Sequence, residues 1–348
     1  VIRKVNAQTG IITTVAGNGT FGSSGDGGLA TLAQLASPVG IAVDSNASIY
    51  IADQVNHRIR VVEWDTGIIG TSAGNGQGGF AGDGGQATAA RLLVPQGVAV
   101  DHVNGNLYIA DTGNFRVRRV QFSTGIITTI CGTGFPSSNG DGGPATSASL
   151  SSPRRLAIDQ SGNLYILDRA TNARIRRIDG FTGIITTVAG GGTTVATSGV
   201  ATDLNLGPLT DLAVDENGAL ILTASFRVWK VEGGMATVIS GTGTGGFSGD
   251  GGDPLLAAFN NLSGIAVNAD QHVFLSDRSN HRIRKIAPSV KFAPGDVNHD
   301  GHVNIDDLTE VILAWGRCRG CAADISPAGG DGVVNIDDLT AVILSWGQ

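Results

Sequence analysis

The residues best suited to chemistry lie near the C-terminus, in Asp296-Val-Asn298-His-Asp300-Gly301-His302-Val-Asn304-Ile-Asp-Asp307. Side-chain oxygens stand at positions 1, 3, 5, 9 and 12 of a twelve-residue loop; Gly301 at position 6 permits a sharp turn, and His302 offers its carbonyl at position 7. Hard oxygen donors at this spacing can wrap one Ca²⁺, which takes roughly six to eight oxygens. A second stretch, Asp324-Ile-Ser326-Pro-Ala-Gly-Gly-Asp331-Gly-Val-Val-Asn335-Ile-Asp-Asp338, keeps the C-terminal half of the pattern and carries three extra residues before Asp331. Asp324, Asp331, Asn335 and Asp338 are its candidate ligands, with Ser326 a weaker one. One Ca²⁺ is expected in the first loop, and the second offers another site.

Elsewhere the reactive side chains recur rather than converge. Asp53 with Arg58, Asp111 with Arg116, Asp168 with Arg174 and Asp277 with Arg282 repeat one arrangement, which can fix a turn by a carboxylate–guanidinium pair. A catalytic group is needed once, so a fourfold pair reads as structural. Three G-x-G-x-x-G matches (17–22, 74–79, 241–246) open no helix and so do not read as nucleotide loops. H-E-x-x-H, G-x-S-x-G and G-K-[ST] are absent, and no catalytic residue is assigned.

The elements that carry these pairs repeat along residues 1–288. Gly40-Ile-Ala-Val-Asp44 returns as Gly97–Asp101, Arg155–Asp159, Asp211–Asp215 and Gly264–Asn268. Each copy is followed by a second apolar run such as Tyr50-Ile-Ala-Asp53, a third such as Arg58-Ile-Arg-Val-Val62, and a fourth such as Gly125–Gly132. The runs are short, rich in β-branched residues and bounded by Gly, Asn and Asp, which predicts strands. Four strands per unit predict a β-propeller. Twenty-one strands suit five blades, with six as the alternative, and residues 11–16 are expected to complete the last blade by ring closure. An edge strand left over by that count could pair with a neighbouring molecule. The fourth unit departs from the others at Leu222-Thr-Ala-Ser-Phe-Arg-Val-Trp229, and its Gly-Asp-Gly-Gly loop shrinks to Thr197-Ser-Gly-Val200. The loops Gly25–Gly28, Gly82–Gly85, Gly140–Gly143 and Gly249–Gly252 each hold one carboxylate and read as turns.

Asn56-His-Arg-Ile59, Asn114-Phe-Arg-Val117, Asn172-Ala-Arg-Ile175 and Asn280-His-Arg-Ile283 resemble the hallmark of the NHL-repeat family. The resemblance implies a propeller over residues 1–288 that binds a protein or glycan. Some similar propellers are lyases or lactonases, which leaves a propeller lyase as one alternative and a structural subunit of an extracellular assembly as another.

After a linker at 289–294, residues 295–348 contain a second repeat. Leu308, Val311, Ile312 and Trp315 mark one helical face, and Leu339, Val342, Ile343 and Trp346 mark another, so a small all-α domain is expected. Two EF-hand-like loop–helix units joined by Trp315-Gly-Arg-Cys318-Arg-Gly-Cys321 resemble a type I dockerin of the Gly-Cys variant found in secreted bacterial proteins. That resemblance implies a cohesin-like or surface anchoring partner. Ile305-Asp306 and Ile336-Asp337 replace the Ser-Thr pair that a cellulosomal cohesin reads, so the resemblance does not extend to that recognition pair and names no particular partner.

Charge separates the two parts. The chain carries 30 acidic and 23 basic residues, a net of −7, and nine acidic against two basic residues fall in 292–348, which leaves the propeller neutral. A neutral ring without a basic stripe does not suit nucleic acid. No apolar stretch is long enough for a membrane helix, and no signal peptide stands in this chain. Calcium-dependent folding implies an extracellular or cell-surface setting, where Cys318 and Cys321 could pair.

Overall fold

A computed structural model of the protein describes residues 1–169, 172–287, 316–317 and 333–334. The chain divides into two compact units, Val1–Ala287 and Pro288–Gln348.

The first unit is a β-propeller of five blades. Each blade begins at its inner strand and moves outward. The first is β3 (Pro38–Val43), β4 (Ile49–Asp53), β5 (Arg58–Val62) and β6 (Ile69–Ala73). The second is β7 (Gly97–Asp101), β8 (Asn106–Asp111), β9 (Arg116–Gln121) and β10 (Ile127–Cys131). The third comprises β11 (Pro153–Ile158), β12 (Leu164–Asp168), β13 (Arg174–Ile178) and β14 (Ile185–Gly190). The fourth runs β16 (Leu209–Val214), β17 (Leu220–Ala224), β18 (Arg227–Glu232), β19 (Met235–Ser240). The fifth is β20 (Leu262–Val267), β21 (Val273–Asp277) and β22 (Arg282–Ile286), with no fourth strand among the described residues. Every pairing is antiparallel, and inner strands β3, β7, β11, β16 and β20 lie side by side in that order.

Second strands are buried along their whole length in blades 1, 3 and 4, because both faces of a blade are covered by its neighbours. The core is therefore divided into slabs between blades. Tyr50, Ala52 and Ile59 of blade 1 meet Val98, Val100, Leu107 and Ile109 of blade 2 in one slab. Leu167, Ile175 and Ala189 meet Leu212, Leu220 and Trp229 in another.

Two expectations change. β2 (Ile12–Ala16) does not complete the last blade; it pairs with β1 (Ile2–Val5) in a separate two-stranded sheet that packs on blade 1 through Ala16 and Ile2. The shortened loop of the fourth unit is also more than a turn. Its Ser198–Val200 segment, β15, pairs with β19 and makes that blade five-stranded. In blades 1–3 the corresponding loop makes a single bridge, Leu29 to Ile68, Gln86 to Ile126 and Pro144 to Ile184.

In the second unit the described residues are β23 (Gly316–Arg317) and β24 (Val333–Val334), which pair antiparallel. The helices expected at 308–315 and 339–346 lie outside the described residues.

Candidate functional site

Blades 1, 2 and 5 contain the same ionic network around a buried arginine, blade 3 contains a variant of it, and it is wired differently from the expected pairs. The loop aspartate of Gly-Asp-Gly-Gly, which the sequence placed in a turn, binds the second arginine of the Arg-x-Arg run. The N–O distances are 2.6 Å for Arg60–Asp26, 2.6 Å for Arg118–Asp83, 2.7 Å for Arg176–Asp141 and 2.6 Å for Arg284–Asp250. The strand aspartate also faces that second arginine: Arg60 reaches Asp53 at 3.5 Å, Arg118 reaches Asp111 at 3.4 Å and Arg284 reaches Asp277 at 3.4 Å. Asp168 feels Arg176 only through its charge. Arg58, Arg116, Arg174 and Arg282 are therefore not the partners of the strand aspartates, and Arg58 approaches only the loop aspartate Asp26, at 3.7 Å.

The hallmark asparagine completes the network. Asn56 donates to Asp53 at 2.7 Å and to the Gly22 carbonyl at 2.7 Å, and Asn114 and Asn280 repeat this with Asp111 and Gly79, and Asp277 and Gly246. A backbone N–H on the way into the inner strand supplies the other carboxylate oxygen, from Ala36, Leu93 and Asn260. Burial pushes Asp53, Asp111 and Asp168 above the usual carboxylate range, Asp111 to about 6, although these hydrogen bonds oppose the shift.

The first arginine of each run has a separate task, which explains the G-x-G pairs. Arg58 donates to the Asn75 carbonyl at 3.1 Å and Arg116 to the Thr133 carbonyl at 2.8 Å. A Cβ at Gly76, Gly134 or Gly243 would collide with the guanidinium of Arg58, Arg116 or Arg227, and each of these glycines has a φ near +90°. The glycines cradle an arginine of their own chain.

Blade 4 lacks the network as a unit. Ala224 stands for the strand aspartate, and Trp229, 2 % exposed, takes the place of the buried arginine within an apolar slab. Substituting both charges together avoids leaving either one buried alone. His57 is structural as well, since its Nδ1 accepts a hydrogen bond from the Val94 N–H at 3.1 Å.

What the sequence reading missed is an unrepeated set at the inner ends of blades 3 and 4. Arg155 and Asp211 occupy the position held by Gly40, Gly97 and Gly264. At Gly97 a Cβ would lie 2.6 Å from the Arg154 carbonyl, so inner strands touch there. Arg155 donates to the Gln96 carbonyl of blade 2 at 3.0 Å and approaches Asp211 of blade 4 at 3.5 Å, while Asp211 accepts from the Ile265 N–H of blade 5 at 3.2 Å. One ion pair thus links four inner strands, and burial raises Asp211 to about 6 despite Arg155. The break in the glycine column was its only sequence signal. Between the same two blades lies a groove of about 580 Å³, lined by Tyr165, Arg177, Val200, Thr202, Leu220 and Glu232.

The Ca²⁺ ligand candidates, Asp296 through Asp307 and Asp324 through Asp338, and Cys318 and Cys321, lie outside the described residues. Among the described residues no group of three or more His, Cys, Asp or Glu side chains is placed to hold a metal, and no helix is long and apolar enough to cross a membrane.

Residues 76–139 and 131–215 match the family described as the Teneurin NHL domain, and residues 35–62 and 259–286 match the NHL repeat. Chicken (Gallus gallus) teneurin-1 is 30% identical over 264 residues, covering 66% of this chain and 9% of its own. Protein SUPPRESSOR OF QUENCHING 1, chloroplastic, of Arabidopsis thaliana is 26% identical over 262 residues, covering 72% of this chain and 25% of its own. The chain therefore spans a quarter or less of the length of these two relatives. Among solved structures, an auxiliary nutrient binding protein from Bacteroides thetaiotaomicron shares the fold with a TM-score of 0.59 at 18% identity, covering 82% of this chain and 63% of that one. A nidogen/laminin complex matches with a TM-score of 0.51 at 16% identity, covering 73% of this chain and 76% of that one.

Proposed function

We propose that this NHL-repeat β-propeller is a non-catalytic binding module of a secreted or surface-displayed protein, recognising a protein or glycan, and that residues 295–348 anchor it through Ca²⁺. The observation that carries the reading is the use made of the repeated charges. The carboxylate–guanidinium sets of blades 1, 2, 3 and 5 are consumed in holding loop, turn and strand together, which is scaffold work. Propeller scaffolds present variable loops and inner-strand ends to ligands. The fold is shared with a protein named for nutrient binding and with a complex of nidogen and laminin, which supports a binding role. The test is a screen of the full chain against glycan and protein arrays, with each bound ligand followed by NMR for turnover. Saturable binding without conversion supports the reading, and conversion of a ligand overturns it.

For the tail, titration with EDTA is expected to remove one calorimetric transition, that of residues 296–348, and to spare the propeller. A trace unchanged by EDTA counts against Ca²⁺ at Asp296, Asn298, Asp300, His302, Asn304 and Asp307.

One observation favours a second role in assembly. Ile41 is 54% exposed where its counterparts Val98, Leu156 and Leu212 are 5%, 8% and 4%, and Ile283 is 68% exposed where Ile59, Val117, Ile175 and Val228 are 0%. The first and last blades thus each leave apolar surface uncovered, and β22 keeps an open edge among the described residues. Sedimentation that depends on concentration, and is abolished by Ile283→Lys, supports self-association; a monomer at all concentrations removes it.

A further inference from the structure

We propose that the inner end of blade 3 binds a small ligand through an oxyanion, held between Arg154 and Arg169 with Arg155 behind them. The inference rests on the binding-module reading above and names the site and the ligand chemistry.

Blade 3 breaks the repeat at this end. Its turn from Asp168 to Arg174 is one residue longer than the turns from Asp53 to Arg58, Asp111 to Arg116 and Asp277 to Arg282. Asp168 is rewired in consequence. It accepts from the Ser138 hydroxyl at 2.9 Å in place of an asparagine, and from both the Ser151 and Ser152 N–H groups, at 2.9 and 2.7 Å. Ser152 is thereby spared the left-handed backbone that its counterparts Ser37, Val94 and Asn261 adopt at φ of 53°, 52° and 60°.

Arginines fill the remodelled positions. Arg154 stands where the other blades have Val39, Gln96, Thr210 and Ser263, and Arg169 stands where they have Gln54, Thr112, Ser225 and Arg278. The backbone brings them together: the Arg169 N–H donates to the Ser152 carbonyl at 3.0 Å, and Arg154 Nε donates to the Ser152 hydroxyl at 3.3 Å. Partial burial lowers the Arg154 guanidinium from its usual value, and the nearby charges of Arg169 and Arg155 lower it further. Among the described residues the one carboxylate ion-paired with any of the three is Asp211, with Arg155. Asp168 is buried, and its oxygens are already committed to Ser138, Ser151 and Ser152.

Two arginines that both meet Ser152, Arg154 through its guanidinium Nε and Arg169 through its backbone N–H, can converge on a carboxylate, sulfate or phosphate, which accepts in pairs from planar N–H donors. An incoming oxyanion would neutralise the charge of Arg154 and Arg169, which no ion pair among the described residues relieves, whereas Arg155 has Asp211. The site is local, and the propeller as a whole is neutral, which favours a small anionic ligand over a nucleic acid chain.

The test is calorimetric titration of the full chain at low ionic strength with glucuronate, glucose 6-phosphate and uncharged glucose. Saturable binding of either anion, with glucose silent, is expected, and Arg154→Gln and Arg169→Gln should each weaken it by about tenfold or more. Arg278→Gln, the equivalent change in blade 5, should leave it unchanged, and far-UV circular dichroism verifies that each variant is folded. Absence of saturable binding by both anions, or equal binding in folded Arg154→Gln, overturns the site. Those results leave the binding-module reading intact if array ligands still bind, whereas conversion of a probe overturns the module reading itself.

Discussion

Arg118 offers a direct measure of what the repeated network contributes. Its side chain is fully buried between Asp83, which is 37% exposed, and Asp111, which is fully buried. In Arg118→Met, Asp83 is rehydrated at little cost, but Asp111 keeps only the Leu93 N–H and the Asn114 amide and has no cation. Breaking a buried pair in this way costs about 3–5 kcal/mol, mostly from the charge left behind. A loss of that size should lower Tm by roughly 5–8 °C in a domain of this length. Asp111→Ala alone leaves Arg118 paired with Asp83 and should cost less, about 2 kcal/mol. The double variant imitates blade 4, where Ala224 and Trp229 replace the pair, so it should be more stable than the sum of the single losses by about 2 kcal/mol. Urea denaturation of the four proteins, with equal m-values, supplies the cycle. Additivity within about 0.5 kcal/mol would refute the argument that the two charges are kept or lost as a unit.

Gly97→Ala should destabilise the propeller by about 1–3 kcal/mol, because its Cβ would meet the Arg154 carbonyl at 2.6 Å; Gly70→Ala, with open space around it, serves as the control in the same melts. Cys131 is fully buried and its thiol is pushed up to about 12 by that burial, so a thiol reagent at pH 8 should label it only as the propeller unfolds, which mass spectrometry of labelled peptides reads directly. Burial raises Asp111 and Asp211 to about 6, above their unfolded value. Between about pH 4 and 6 the folded state therefore holds protons that the unfolded chain has lost, and the stability from these groups is full below that window and lost as pH rises through it. Denaturation midpoints should accordingly show a shallower fall with pH across that window in Asp211→Asn than in the parent chain, and identical slopes would count against the assignment.

The blades were legible in the sequence because a strand that must be covered on one or both faces needs apolar residues in a short run, and turns need Gly, Asn and Asp. Five copies of that pattern leave few other folds. The asparagine and loop aspartate were visible as repeats, but their partners were not. Asp53 stands opposite Arg58 in the strand register, and Arg58 and Arg60, two residues apart, share one face, so spacing alone could not say which arginine the carboxylate meets. That choice is made by Asp26, delivered by a loop 34 residues earlier, which holds Arg60 at 2.6 Å against 3.7 Å for Arg58, while Arg58 donates to the Asn75 carbonyl.

Ring closure followed the same logic. The residues of β2 read as the outer strand that the last blade lacks, yet β2 pairs with β1 and packs on blade 1 through Val15 and Ala16, joining the elements adjacent to it in sequence. The unrepeated set was hidden for a different reason. Arg154, Arg155, Arg169 and Asp211 lie in two units of a pattern, where single departures resemble drift, and only the side-by-side placement of the inner strands brings Arg155 to Asp211 and Arg169 to Ser152. The amino-acid sequence by itself determines the repeating unit, since periodicity and turn chemistry act over a few residues. The pairing of charges and the meeting of exceptional residues are decided by tertiary structure, because the deciding ion pairs, Arg60–Asp26 and Arg155–Asp211, join segments 34 and 56 positions apart whose relative placement depends on how whole blades pack.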